Sequence, residues 1–173
     1  MNFCLYNFKK QEFIMDEPYL NPISLSMEFA KIVKEKKIKP ELECFDIGHV
    51  SNTFWLERKG LIEKPTHYSI VFGVMGGIQF SLENLIAFKS SIPPDSTWQT
   101  IVVAGNCFPA AMVSVIDIRC GLEDNIYIDI ANKAKAKGSW DQVQKCVKIA
   151  RMANREPATP EGVRKILNFP KKD

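Results

Sequence analysis

The chain has 173 residues and a mass of 19.7 kDa, a length that suits a single domain. It is 46% apolar and 25% charged, a composition that indicates a folded protein with an ordinary core and excludes a disordered or collagen-like chain. The net charge is only +3, and the basic run over residues 34–39 is typical of an exposed helix end, so we expect no nucleic-acid partner.

Apolar residues recur first with the period of a helix and then with that of a strand, and the two patterns alternate along the chain. Residues 26–36, for example, carry Phe29, Ile32 and Val33 on one face and charged residues on the other. The predicted elements are, in chain order, a helix over 26–36, a strand over 41–46, a helix over 49–59, a strand over 67–74, a helix over 82–90, a strand over 98–104, a short helix within 109–115, a strand over 116–121 and a helix over 141–152.

Strands that alternate with helices predict an α/β fold with a parallel sheet. The predicted strands near residues 40, 68 and 99 begin 28 and 31 residues apart, and an eight-stranded (β/α)₈ barrel of roughly 250 residues allots about 31 to each unit. Four strands, with a further fragment at Met1-Asn2-Phe3, are too few to close such a barrel. The sequence therefore indicates either an open sheet or one part of a barrel.

The cysteine pattern indicates reduced thiols, because the five cysteines are odd in number, widely spaced and form no CxxC pair; they are Cys4, Cys44, Cys107, Cys120 and Cys146. No apolar run approaches the roughly 18 residues of a membrane span. The first residues lack the charge and hydrophobicity pattern of a signal peptide. We therefore expect a cytoplasmic protein without a membrane partner.

The densest group of polar residues follows the last predicted strand, over residues 117–125. Arg119 precedes two adjacent carboxylates, Glu123 and Asp124, and ligands bind at the carboxyl ends of strands in α/β sheets. A glutamate there can bind a metal, and the neighbouring aspartate can act as a base. The alternative interpretation is an acidic loop that caps the next helix.

A second pair of carboxylates, Glu41 and Glu43, lies on the short strand over residues 41–46. Side chains two positions apart share one face of a strand, so both carboxylates are predicted to point into a barrel interior or an active site. The alternative is an edge strand with a hydrated face. The only two histidines, His49 and His67, are not spaced as a pair of metal ligands.

Several segments resemble the carboxyl-terminal part of the β-keto acid cleavage enzyme family. They are, in chain order, Met1-Asn2-Phe3, KPELECFDIGH (39–49), FGVMGGIQFSLENL (72–85), PPDSTWQTIVVAGN (93–106), RCGLEDNIY (119–127) and REPATPEGVRKIL (155–167). The resemblance covers almost the whole chain. It implies that residues 1–173 are the carboxyl-terminal portion of one (β/α)₈ barrel domain, roughly strands 4–8, with Met1-Asn2-Phe3 as the end of the fourth strand.

The same resemblance implies a zinc-dependent acyltransferase that converts a β-keto acid, such as 3-keto-5-aminohexanoate, and acetyl-CoA into acetoacetate and a new CoA ester. Glu123 would be a zinc ligand, Asp124 the general base, and Arg119 the cation that supports substrate and base. A catalytic glutamate maps onto Glu43 or Glu41. A metal polarises the carbonyls, a carboxylate takes a proton and a cation stabilises negative charge, which is consistent chemistry for a β-keto acid.

This sequence departs from the family in its ligands. The two zinc-binding histidines of a His-x-His motif are absent, and one carboxylate holds zinc poorly because catalytic zinc sites use three protein ligands. Asn106 stands where the family has an arginine. We therefore expect a fragment or half-enzyme that forms a homo-oligomer or binds an N-terminal half-barrel. A non-catalytic remnant or barrel-completing subunit is the alternative, and an unrelated metal-dependent barrel aldolase or isomerase is a third hypothesis.

Overall fold

The structure is a computed structural model that describes residues 2–7, 10–104 and 117–170. Its strands are β1 (Asn2–Asn7), β2 (Glu12–Pro18), β3 (Glu41–Cys44), β4 (His67–Phe72), β5 (Thr97–Val102), β6 (Tyr127–Asp129) and β7 (Ala134–Lys135). Its helices are α1 (Ile23–Glu35), α2 (Ile47–Arg58), α3 (Leu82–Ser91), α4 (Ser139–Met152) and α5 (Pro160–Ile166). Within the described ranges, no helix is both long and apolar enough to cross a membrane.

The centre of the fold is a parallel sheet in the order β3-β4-β5. The next segment along the chain extends this sheet, because Ile118 forms a parallel bridge with Thr100. Successive strands are joined by the helices α2 and α3, as parallel pairing requires. The predicted α/β class and the parallel sheet are therefore confirmed.

One face of the sheet carries the hydrophobic core. Cys44, Tyr68, Ile70 and Phe72 are completely or almost completely buried there, and they pack with Leu85 and Phe88 of α3. The Phe72 ring meets the Phe80 and Phe88 rings edge to face, with centroids 5.4 and 5.8 Å away. Because side chains alternate along a strand, the intervening residues point to the opposite face.

Short polar residues begin two of the connecting helices. The Asp46 carboxylate accepts a hydrogen bond from the Gly48 N–H at 3.0 Å, and the Ser81 hydroxyl accepts one from the Asn84 N–H at 3.1 Å. These contacts satisfy N–H groups that have no partner within the helix. They fix where α2 and α3 leave the carboxyl ends of β3 and β4.

The amino-terminal residues correct one prediction. Phe3 pairs with Glu17 in the antiparallel pair β1-β2, so this segment is not a further strand of the parallel sheet. A local hairpin closes only a short loop, which costs less chain entropy than pairing with a distant strand. The described parallel sheet thus has four segments, β3, β4, β5 and the one at Ile118, and the amino-terminal strand is not among them.

Other predicted boundaries shift by a few residues. The predicted strand over 116–121 is reduced to the bridge at Ile118, and the predicted helix within 109–115 lies outside the described residues. The β6-β7 hairpin and helix α5 were not predicted. Their short segments carry too few apolar residues for a clear period.

Candidate active site

A polar face lies on the side of the sheet opposite the hydrophobic core. Glu43, Ser69 and Gln99 are neighbours in register across β3, β4 and β5. Glu41 lies two residues before Glu43 on the same face, and Arg119 follows the bridge at Ile118. Five polar side chains from four segments of the sheet thus share one surface.

The guanidinium of Arg119 is the centre of this surface. Its Nη1 donates to Glu43 Oε1 at 2.6 Å and lies 3.4 Å from Glu41 Oε1. Its Nη2 donates to Glu123 Oε1 at 2.6 Å, and its Nε is 3.8 Å from Asp124 Oδ2. The predicted residues Glu41, Glu43, Arg119, Glu123 and Asp124 therefore form one cluster, with a single cation among four carboxylates.

The hydrogen bonds of Arg119 further favour its charged form. Burial alone would lower the pKa of the Arg119 guanidinium, but its hydrogen bonds to Glu123 and Glu43 outweigh burial and raise the pKa above its usual value. Charge-assisted hydrogen bonds of this kind are stronger than neutral ones. Any arginine carries a permanent positive charge, and the contacts with Glu43 and Glu123 hold this charge at the carboxyl end of the sheet.

Two neutral residues hold the Glu41 carboxylate in place. The fully buried Ser69 hydroxyl donates to Glu41 Oε1, and Gln99 Nε2 donates to the same oxygen at 2.9 Å and to Ser69 Oγ at 2.8 Å. Sequence reasoning missed Ser69 and Gln99. Strand alternation indicates only which face of its own strand each of the two residues occupies. The register between β3, β4 and β5 is needed to place them beside Glu41.

Asp124 differs from the other carboxylates in its burial. Its side chain is 11% exposed, whereas that of Glu123 is 69% exposed. Burial raises the pKa of the Asp124 carboxyl, the Arg119 guanidinium opposes this effect, and the neighbouring carboxylates add to it. Asp124 Oδ2 is buried and accepts no hydrogen bond from the described residues. A carboxylate oxygen in this setting is a good proton acceptor.

The loop that carries both acidic residues is attached to the sheet and to α4. The Ala104 N–H donates to the Asp124 carbonyl at 2.8 Å, and the Leu122 N–H donates to Ser139 Oγ at 3.2 Å. The next described helix begins only at Ser139. Glu123 and Asp124 therefore contact Arg119 and do not cap that helix, which excludes the alternative interpretation of an acidic cap.

Strand β3 is an edge strand with a hydrated face, which was the alternative interpretation, and it also contributes to the cluster around Arg119. β3 is an edge strand of the described sheet, and the Glu41 and Glu43 side chains are 38% and 42% exposed. The two carboxylates are therefore hydrated at an edge, and they also contact Arg119. Both share one face as predicted, and Glu43 makes the shorter contact.

The described residues do not form a zinc site by themselves. No group of three His, Cys, Asp or Glu side chains within residues 2–7, 10–104 and 117–170 is arranged to hold a metal ion. The Oε1 atom of Glu123 accepts a hydrogen bond from Arg119 Nη2. His49 Nδ1 accepts from the Phe45 N–H, and His67 Nδ1 lies 2.9 Å from Thr97 Oγ1. Asn106 lies outside the described residues.

Comparison with known proteins yields consistent matches. A family described as beta-keto acid cleavage enzyme matches residues 1–169. The 3-keto-5-aminohexanoate cleavage enzymes of Fusobacterium nucleatum and Acetoanaerobium sticklandii are each 35% identical over 90% of this chain and 57% or 58% of their own lengths. The 3-dehydrocarnitine:acetyl-CoA trimethylamine transferase of Rhizobium meliloti is 28% identical over 96% of this chain and 54% of its own length. The chain thus spans just over half the length of these curated relatives.

Proposed function

The chain belongs to the beta-keto acid cleavage enzyme family, and we propose that it supplies the carboxyl-terminal part of a barrel that exchanges acyl groups between a β-keto acid and acetyl-CoA. The products are acetoacetate and a new CoA ester. Relatives whose names specify a β-keto acid cleavage or a transfer involving acetyl-CoA support this class of reaction.

The observation that carries the proposal is the position of Asp124 beside Arg119. The reaction needs a base that takes a proton from the substrate, and Asp124 Oδ2 is a buried carboxylate oxygen without a described hydrogen-bond donor. The Arg119 Nε at 3.8 Å compensates the negative charge of the base before proton transfer. It also stabilises negative charge that develops on substrate oxygens.

Glu43 and Glu41 position the cation. Glu43 receives the Nη1 group of Arg119 at 2.6 Å, and Glu41 is itself held by Ser69 and Gln99. Orienting a catalytic group in advance lowers the entropic part of the barrier. We propose that this chain of contacts directs the guanidinium toward Asp124 and toward a bound substrate.

We propose that residues outside the described ranges complete the site around Arg119 and Asp124. A cavity of about 620 Å³ runs along the outer side of β3, between α1 and α2, and is lined by Phe29, Leu42, Leu56, Glu41 and Glu43 among others. In a closed barrel, a strand would pair with β3 on this side. We propose that the remaining part of the family's barrel occupies this position.

Zinc binding is proposed only for such a completed barrel. Glu123 can provide one carboxylate oxygen, and two or more ligands would come from the completing segment. A carboxylate has two oxygens, so Glu123 could bind a metal while it also accepts the hydrogen bond from Arg119. The catalytic roles proposed for Asp124 and Arg119 do not depend on a bound metal.

A barrel-completing subunit without activity is the second candidate. It is favoured by the two short contacts that Arg119 makes with Glu43 and Glu123, which occupy the guanidinium within the chain. A rigidly neutralised arginine is less available to a substrate. The two candidates differ in whether the completed barrel forms acetoacetate.

The test is to express the chain together with the part of the Fusobacterium nucleatum relative that the match leaves uncovered. The purified complex is incubated with a β-keto acid and acetyl-CoA, and acetoacetate is measured with the metal content. We expect acetoacetate from the complex and none from the chain alone. A complex that contains zinc but forms no acetoacetate would support the inactive subunit instead.

A further inference from the structure

Two cysteines that are distant in sequence meet beside the acidic loop. Cys120 follows Arg119, and Cys146 lies in the middle of α4; their Sγ atoms are 3.5 Å apart although 26 residues separate them. Both side chains are partly exposed. Both also pack against the main hydrophobic core, on the side of the sheet opposite Arg119.

The approach of the two sulfurs is fixed by neighbouring contacts. The Leu122 N–H donates to Ser139 Oγ, and the side-chain amide of the fully buried Gln142 donates to the Asn125 carbonyl. These contacts attach the loop after Cys120 to the first turn of α4, one helical turn before Cys146. The packing of this loop against α4 therefore brings the two thiols together.

We propose that Cys120 and Cys146 are a redox-active pair of thiols, which a peroxide oxidises to an intramolecular disulfide. This inference does not depend on the proposed acyl-transfer function. The bond that forms is 2.05 Å long on average, so the sulfurs approach by roughly 1.5 Å. A rotation of one side chain supplies a movement of that size.

The oxidation has two steps. The Cys120 thiolate attacks one oxygen of hydrogen peroxide, the O–O bond breaks, and Cys120 becomes a sulfenic acid. The leaving hydroxide takes up the proton released by the Cys120 thiol and becomes the first water. The Cys146 thiolate then attacks the Cys120 sulfur, the S–O bond breaks, and the leaving hydroxide takes up the proton of the Cys146 thiol and becomes the second water. In total the two thiols lose two protons and two electrons, and these reduce one peroxide to two waters.

The surroundings assign different roles to the two thiols. The Cys146 thiol donates a hydrogen bond to Cys120, which lowers the pKa of Cys120, while burial and the Asp124 carboxylate oppose this effect. Since the thiolate is the nucleophile, Cys120 attacks first and Cys146 resolves. Cys44 is an internal contrast, because it is 1% exposed and burial raises its pKa to about 12.

The experiment treats the full chain with equimolar hydrogen peroxide, blocks remaining thiols by alkylation and maps tryptic peptides by mass spectrometry. A disulfide between Cys120 and Cys146 joins the peptides over residues 120–133 and 146–148, since Arg119, Lys133, Lys145 and Lys148 border them. The map is repeated on a variant with Cys4→Ser and Cys107→Ser, which leaves Cys44 as the remaining competitor. Native circular dichroism verifies the fold of each variant.

We expect the joined peptides in both proteins, their separation by dithiothreitol, and a mass loss of two hydrogens per chain. Cys146→Ser should stop oxidation at a sulfenic acid on Cys120 that dimedone traps, whereas Cys44→Ser should leave the joined peptides unchanged. The proposal is overturned if the joined peptides form only in urea. It is also overturned if Cys44 is oxidised as fast as Cys120, or if the bridges connect separate chains.

Discussion

The Arg119 guanidinium donates to Glu43 at 2.6 Å although 76 residues separate the two. This contact joins the first and the last segments of the described parallel sheet. It spans β4 and β5 because Glu43, Ser69 and Gln99 are aligned in register on the same face. A long arginine side chain can therefore reach across two intervening strands, over the small Ser69.

Replacement of this central cation tests the electrostatic role of the cluster. Arg119→Met leaves Glu41, Glu43, Glu123 and Asp124 without their shared counter-ion, and we expect a loss of about 1 kcal/mol in unfolding free energy at pH 7. The loss should diminish as the pH is lowered to about 4, where carboxyl groups in general begin to be protonated and lose their attraction to a guanidinium. Urea unfolding at both pH values measures it.

The matched control is Arg151→Met. Arg151 bonds one exposed carboxylate, that of Glu156, at 3.1 Å, and exposed pairs of this kind contribute about 0–1 kcal/mol. We expect its loss to lie at the low end of that range and to change little with pH. Equal losses in both variants, with equal pH dependence, would contradict the shared-cation interpretation.

Gly73 tests how closely the strand ends pack. It adopts φ +87°, and a Cβ at this position would clash with the Val103 carbonyl oxygen. Gly73→Ala should therefore cost more than the roughly 1–2 kcal/mol of left-handed backbone strain alone. Gly60→Ala is the control, because Gly60 has φ +63° with no atom within 4 Å of the added carbon.

Thermal or urea unfolding of the two alanine variants gives the comparison. We expect Gly73→Ala to lose at least about 1 kcal/mol more stability than Gly60→Ala. Equal losses would mean that β4 and the Val103 segment can separate without cost. The polar face would then be less rigidly supported than its hydrogen bonds indicate.

His67 predicts a pH dependence of stability. Burial lowers the pKa of the His67 imidazole, an effect that the Glu41 and Asp117 carboxylates oppose and Lys39 reinforces. An unfolded histidine has a pKa of about 6.5, so below this pH the unfolded chain binds a proton that the folded chain resists. Stability should therefore fall as the pH decreases through this range.

Unfolding midpoints between pH 7.5 and 5 check this expectation in His67→Gln and the unmodified chain. The variant should show a shallower decline, with a remainder from His49, whose pKa burial also lowers. The quantity compared is the slope of the unfolding midpoint against pH, because the two proteins can also differ in absolute stability. Parallel curves would show that the imidazole binds a proton equally well in both states.

The open edge of β3 predicts self-association. Unpaired N–H and C=O groups along an edge strand are a template for another strand, and apolar Phe29 and Leu20 are exposed near it. The chain alone should therefore form dimers or larger species at micromolar concentration. Light scattering that shows a monomer with cooperative melting would contradict this prediction.

Much of the site could be predicted because strand periodicity is local information. Alternation on β3 predicts that Glu41 and Glu43 share one face, and the resemblance assigns Arg119 and Asp124 to the same active site. The contacts of Ser69, Gln99 and the pair of Cys120 and Cys146 could not be predicted, because strand register and helix docking depend on packing across 26 residues or more. The β1-β2 hairpin differs from the prediction because the resemblance assigns the amino-terminal segment to a parallel strand of a barrel.

The most direct test compares Asp124→Asn with the unmodified chain in the completed barrel, by measuring acetoacetate release from a β-keto acid and acetyl-CoA together with bound metal. Asp95→Asn, a change at an exposed carboxylate paired with Lys64, is the matched control and should keep full activity. We expect Asp124→Asn to retain metal and to lose about 10²–10⁴-fold in kcat, the contribution of a general base. Full activity in Asp124→Asn would contradict the assignment of Asp124 as the base.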